Sequence, residues 1–132
     1  MDQTRSRLSL AAAALIAIQV IHGAIPAETE AEGNVGLVLG AIALVASIAA
    51  LVGIRRGREW GRSLLGVTGA SVAVGFVLYH ALPITSDFTN PYVGEDGVGL
   101  LQWAPVILAV AIGAWAAWEA FGRTAERPAL SA

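Results

Sequence analysis

Cysteine and lysine are both missing from this chain of 132 residues, and charge of either sign is scarce. Without thiols there can be no disulfide, no thiolate metal site and no cysteine nucleophile, so the redox compartment leaves no trace in the composition. All 8 basic residues are arginine, which fits an alanine-rich, high-GC prokaryotic coding bias and points to no binding role. Only 14% of residues are charged, against roughly 25% in soluble domains. Also missing are a Gly-rich phosphate loop, a nucleophile–base set and paired carboxylates within an apolar run, which speaks against a nucleotide enzyme, a hydrolase or a proton-driven pump. Nothing in the sequence points to nucleic acid as a partner.

What the chain has instead is length without interruption. Hydrophobic residues make up 56% of it, gathered into four runs: about Leu8 to Ile25, Val35 to Ile54, Ser63 to Leu82 and Val98 to Phe121. A bilayer core about 30 Å thick needs about 20 apolar residues as a helix, and each run supplies that length. The connections are too short for a separate domain. We therefore expect an all-α integral membrane protein, a single transmembrane domain folded as an antiparallel four-helix bundle.

Orientation follows from the arginines, because positively charged loops are retained in the cytoplasm. Arg5 and Arg7 precede the first span, Arg55, Arg56, Arg58 and Arg62 lie between the second and third, and Arg123 and Arg127 follow the fourth. The other two loops carry Glu28, Glu30 and Glu32, then Asp87, Glu95 and Asp96. The expectation is a multi-pass protein of the cell (inner) membrane with both termini cytoplasmic. The start also has the layout of a signal peptide, arginines followed by an apolar stretch and small residues near "GAIPA". We read it as the first span.

The halves resemble each other. "IHGAIP" and "YHALP" each end a helix, an acidic loop follows, and "NVGLVL" or "GVGLLQ" opens the next span. Two tandem hairpins related by a pseudo-twofold axis along the membrane normal would produce this pattern, with His22 and His80 as partners. Small residues spaced by four should let helices approach closely. Gly36 with Gly40, Ala43 with Ser47, Gly66 with Ala70, Ser71 with Gly75, and Ala109, Gly113 and Ala117 are the expected packing stripes. Aromatic side chains mark both membrane interfaces. Pro105, in the fourth span, deprives the Leu101 carbonyl of its helical donor and tends to kink the helix.

Polar side chains within spans are costly and so informative. Gln19 and His22 are three apart on one helix face, Tyr79 and His80 sit at a matching depth on the third span, and Gln102 at a similar level on the fourth. Together they would line an outward-opening pocket for a small ligand. The two imidazoles are also a candidate pair for a metal ion or a haem, or for hydrogen bonding a quinone carbonyl. The competing reading is structural: a histidine in a helix's last turn complements the dipole, and a proline beyond is an ordinary stop. No HxxxH, HxH or HExxH spacing occurs. "GEDG" lacks the alternating acids of a calcium loop. Glu119 is spaced to pair with Arg123, and the "RRGREWGR" loop could meet anionic lipid headgroups.

The function these features favour first is a small non-enzymatic integral membrane protein, an accessory or scaffold subunit of a larger membrane complex or a homo-oligomer. An outward-facing binding or transport protein using the His/Tyr/Gln pocket is the alternative. A haem- or quinone-binding electron-transfer role is the third reading.

Overall fold

The computed structural model describes residues 3–25, 35–83 and 91–122. Those residues form four helices: α1 (Gln3–Ala24), α2 (Val35–Arg55), α3 (Glu59–Phe76), which is prolonged by a π-helical turn at Val77–Ala81, and α4 (Leu100–Phe121). Each is long and apolar enough to cross a bilayer, α3 together with its π turn. They run up, down, up, down and pack in a ring in which α1 and α3 each lie against α2 and α4. Across the ring, α1 and α3 also approach each other. This is the expected antiparallel four-helix bundle.

Apolar side chains face both ways, as lipid allows. Leu8, Ala11, Ala12, Leu15 and Ile18 recur at helical spacing and bury one stripe of α1. Leu65 and Val72 of α3 and Val106, Ala109 and Ala116 of α4 are buried with that stripe in the core. The opposite faces are no less apolar: Leu37 of α2 is 74% exposed and Leu100 of α4 is 80% exposed. In water such a contiguous outer surface would drive association, whereas acyl chains solvate it.

Close backbone contact sets the crossings. A Cβ on Gly69 would lie 2.7 Å from the Gly113 carbonyl oxygen, and one on Gly113 would lie 2.6 Å from that of Gly69. The α3–α4 crossing therefore has room only for hydrogen atoms. At the α2–α3 hairpin, a Cβ on Gly61 would sit 2.7 Å from the Gly53 carbonyl carbon. The ring of Phe121 fills the space beside Gly66. Of the small-residue stripes expected from spacing, Gly66, Ala109 and Gly113 are buried in this way, whereas Gly40, Ala70, Ser71 and Gly75 face outward. Spacing by four does not say which face of a helix looks inward, and apolar neighbours on every face removed the usual contrast.

Two ends differ in chemistry. At one, Gly57 takes a left-handed φ of 70° to close the α2–α3 turn, with the Arg5 guanidinium packed over it. Arg62 Nε donates to the Ala120 carbonyl at 2.6 Å, in the last turn of α4, where a cation also offsets the dipole. The arginines of the described residues thus gather at a single end. α1 and α3 begin five and four residues before the apolar runs do, because both helices extend past the apolar layer into this charged end. The acidic residues Glu28, Glu30, Glu32 and Asp87, and Arg123 with its expected pairing to Glu119, lie outside the described residues. Glu119 itself is buried and accepts a hydrogen bond from Trp115 Nε1 at 3.3 Å.

α4 runs on through Pro105 to Phe121. α3 does not stay α-helical to Leu82 as expected. It widens at Val77 into the π turn, and the two histidine-bearing helix ends therefore differ, since α1 is α-helical to Ala24.

Candidate functional site at the histidine end

His22 and His80 meet. Their ring centroids are 5.2 Å apart with the planes at 71°, so the third-span histidine, which is only 4% exposed, is turned toward α1 and away from the bilayer surface. The π turn provides this orientation: its wider winding changes the direction of every side chain after Phe76 relative to a continued α-helix. Aromatic rings close around the pair. Phe76 lies 4.8 Å from His22, Tyr79 lies 4.8 Å from His80, and Tyr92 lies 4.2 Å from His80, centroid to centroid.

Tyr92 comes from the segment that leads into α4. Its backbone N–H donates to the His80 carbonyl at 2.8 Å, which ties that segment to the π turn. Its ring is buried and contacts Trp103 edge-on at 5.7 Å. Burial, reinforced by the neighbouring Tyr79 phenol, raises the Tyr92 hydroxyl above the ordinary tyrosine pKa. The Tyr79 hydroxyl reaches across to α2, where a Cβ on Gly36 would lie 2.5 Å from it. Gly36 is what lets Tyr79 lie against α2.

Gln19 has a fixed polarity. Ser47 Oγ donates to the Ala43 carbonyl at 2.8 Å, so its lone pair is what receives Gln19 Nε2 at 2.9 Å. The second amide hydrogen goes to the Leu15 carbonyl at 2.9 Å. Both donors are used. Gln19 Oε1 is buried without a hydrogen-bond partner, and so is His22 Nδ1 one turn further along the same helix. Each atom offers a lone pair in a place where an unpaired polar group is expensive.

Of the five residues expected to share a pocket, His22, His80 and Tyr79 are joined by ring contacts through His80, and Gln19 lies one turn from His22 on the same face of α1. Gln102 is occupied differently: its Oε1 accepts the Gly99 N–H at 3.0 Å and caps the start of α4. Two surface grooves among the described residues lie elsewhere, along α3 and α4. One, of about 560 Å³, is lined by Ala70, Ala73, Ala114, Ala117 and Trp118 among others. The histidines are packed among rings. Sequence reasoning missed Ser47 as the group that orients Gln19, and Tyr92 as a wall of the cluster. Neither carries a local signal, since one reads as a small helical residue and the other as an interfacial aromatic.

Among the described residues no three His, Cys, Asp or Glu side chains come together in a metal-binding group. Comparison of the chain with protein-family models, with curated proteins and with solved structures finds no significant match.

Proposed function

We propose that this chain is a non-enzymatic integral membrane protein of the binding or transport class, whose small ligand is taken at the Gln19–His22–His80 cluster. The observation that carries the reading is the pair of buried, unpartnered lone-pair atoms, Gln19 Oε1 and His22 Nδ1, one turn apart beside a second imidazole. A cluster serving only to cap helix ends would have those atoms on backbone groups or in water. The gathering of arginines at the far end supports placing that end in the cytoplasm of a cell-membrane protein and the histidines toward the outer face. The diagonal approach of α1 and α3, which brings the two histidines together, supports descent from two tandem hairpins.

Thermal unfolding in detergent tests the reading. Zinc and copper ions, ammonium, haem and a short-chain quinone are the probes. At least one should raise the Tm of the wild type and leave His22→Phe unchanged; if every probe moves the two proteins equally or not at all, the binding reading is wrong.

A second reading, an accessory or scaffold subunit or a homo-oligomer, draws on the outer surface. Gly40 and Gly75 have open space where a Cβ would be, so they serve no packing among the described residues, and helical glycine costs about 1 kcal/mol against alanine. Light scattering of the purified protein checks self-association: a protein mass equal to one chain at all concentrations removes the homo-oligomer.

A further inference from the structure

We propose that His22, His80 and the Gln19 carbonyl oxygen hold a single transition-metal cation of the zinc and copper class, an inference that rests on reading the histidine end as a binding site. The first argument is polarity. Because Ser47 and the Leu15 carbonyl consume both hydrogens of the Gln19 amide, only lone pairs remain at Oε1. His22 Nδ1, likewise buried and unpartnered, presents another lone pair when Nε2 carries the ring proton. A ligand suited to both atoms accepts electron pairs or donates hydrogens. A hydrogen-bond acceptor such as a quinone carbonyl could not be held by Gln19.

Distance decides between the two remaining ligand types. With metal–nitrogen bonds of about 2.0–2.1 Å, each imidazole centroid lies about 3.2 Å from the ion, and a tetrahedral angle then sets two centroids about 5 Å apart. The observed separation of 5.2 Å between His22 and His80 matches that spacing, and rotation of each ring about its metal–nitrogen bond leaves the interplanar angle unconstrained. An ammonium ion, held by hydrogen bonds of about 2.9 Å, would set two imidazole centroids about 6.6 Å apart at the same angle, wider than His22 and His80 stand. His80 is already held in place by its ring contacts with Tyr79 and Tyr92, so ligation requires little ordering.

The donor chemistry selects the ion. Two imidazole nitrogens and one carbonyl oxygen suit zinc, copper, nickel or iron, whereas magnesium and calcium favour oxygen-only shells. With three protein donors the fourth position stays open to solvent or a further ligand, the arrangement of an exchangeable site. This donor set is invisible to any pattern built on histidine, cysteine and carboxylate alone, because its third member is an amide fixed by a serine on another helix.

Tag-free, full-length protein in detergent, stripped with a chelator, is titrated with Zn(II) and with Cu(I). The expected result is one ion per chain for at least one of the two metals. His22→Phe keeps a ring against Phe76 but has no lone pair, and Gln19→Leu removes the carbonyl; each should weaken binding by at least about tenfold, the loss of one of three donors. Imidazole ¹⁵N spectra of the wild type give a reading that depends on no variant, with His22 Nδ1 shifting on metal addition. Absence of stoichiometric binding, equal affinity in wild type and His22→Phe, or a His22 Nδ1 resonance unmoved at saturation overturns the metal site. If metal fails while ammonium or another of the probes still stabilises the wild type selectively, the binding reading stands and only its ligand class is wrong. Failure of every probe removes both.

Discussion

At the scale of single residues, the histidine end shows how one hydroxyl can determine what a neighbouring amide offers. Ser47 has a single proton, and its commitment to the Ala43 carbonyl turns the Gln19 amide so that only its carbonyl is left. The side chain of Tyr92 yields a prediction of its own. Its raised pKa, caused first by burial and then by Tyr79, means that the fold favours the neutral phenol. The resulting contribution to stability is complete below the ordinary tyrosine pKa of about 10 and is lost as pH rises through and beyond it. In a Tyr79→Phe protein, Tyr92 is the sole tyrosine, since the chain has 2. Its tyrosinate absorbance should appear above the free-phenol range, and titration at the ordinary value would show that the Tyr92 ring is not buried against His80. The sequence made His22, His80, Tyr79 and Gln19 legible, because polar groups inside apolar runs stand out. It left Ser47 and Tyr92 obscure, because their roles are created by residues 28 and 12 positions away in the chain, Gln19 and His80.

Among elements, α3 and α4 are joined by the reciprocal contact of Gly69 and Gly113, while Gly75, on the same α3, faces open space. These positions give an internal control. Gly69→Ala forces a methyl group against backbone atoms that cannot move independently, and should destabilise the bundle by about 1–3 kcal/mol. Gly75→Ala meets nothing and should be neutral or stabilising by up to about 1 kcal/mol. Reversible unfolding in mixed micelles measures both, and equal effects would mean that the helices do not cross at Gly69. The four spans were legible from length and hydropathy alone. The inward faces were not, because a helix apolar on every side carries no amphipathic contrast to read. The π turn was equally hidden: "VLYHA" has no glycine or proline, and the turn is tied by the return of Tyr92 to the His80 carbonyl.

For the whole molecule, the charged and histidine-bearing ends make orientation testable. Glu95 and Arg58 are both exposed and belong to opposite ends of the bundle. In an otherwise cysteine-free chain, Glu95→Cys should react with an impermeant thiol reagent applied to intact cells, and Arg58→Cys should react only after lysis. Arg58 is a better reporter than Gly57, whose left-handed backbone would strain any side chain. Labelling of Arg58→Cys in intact cells would reverse the topology. The gathering of the arginines at one end was legible in the sequence, and the labelling tests which side of the membrane that end faces, whereas the meeting of His22 and His80 required the packing of α1 across the ring onto α3.

The π turn at Val77–Ala81 has an implication for how such a pairing can arise and be lost. A helix acquires a π turn by accommodating one surplus residue without lengthening its path, so the orientation of His80 is a matter of residue count as well as of side-chain identity. Deleting Val77 or Leu78 would restore ordinary α winding and leave His80 on its present face, because the narrower turn offsets the lost residue. One further residue inserted there and wound as ordinary α-helix would instead carry His80 about 100° around the axis, away from His22. A descendant of this protein could thus keep both histidines, the tyrosines and the glutamine, and lose their meeting through one added codon.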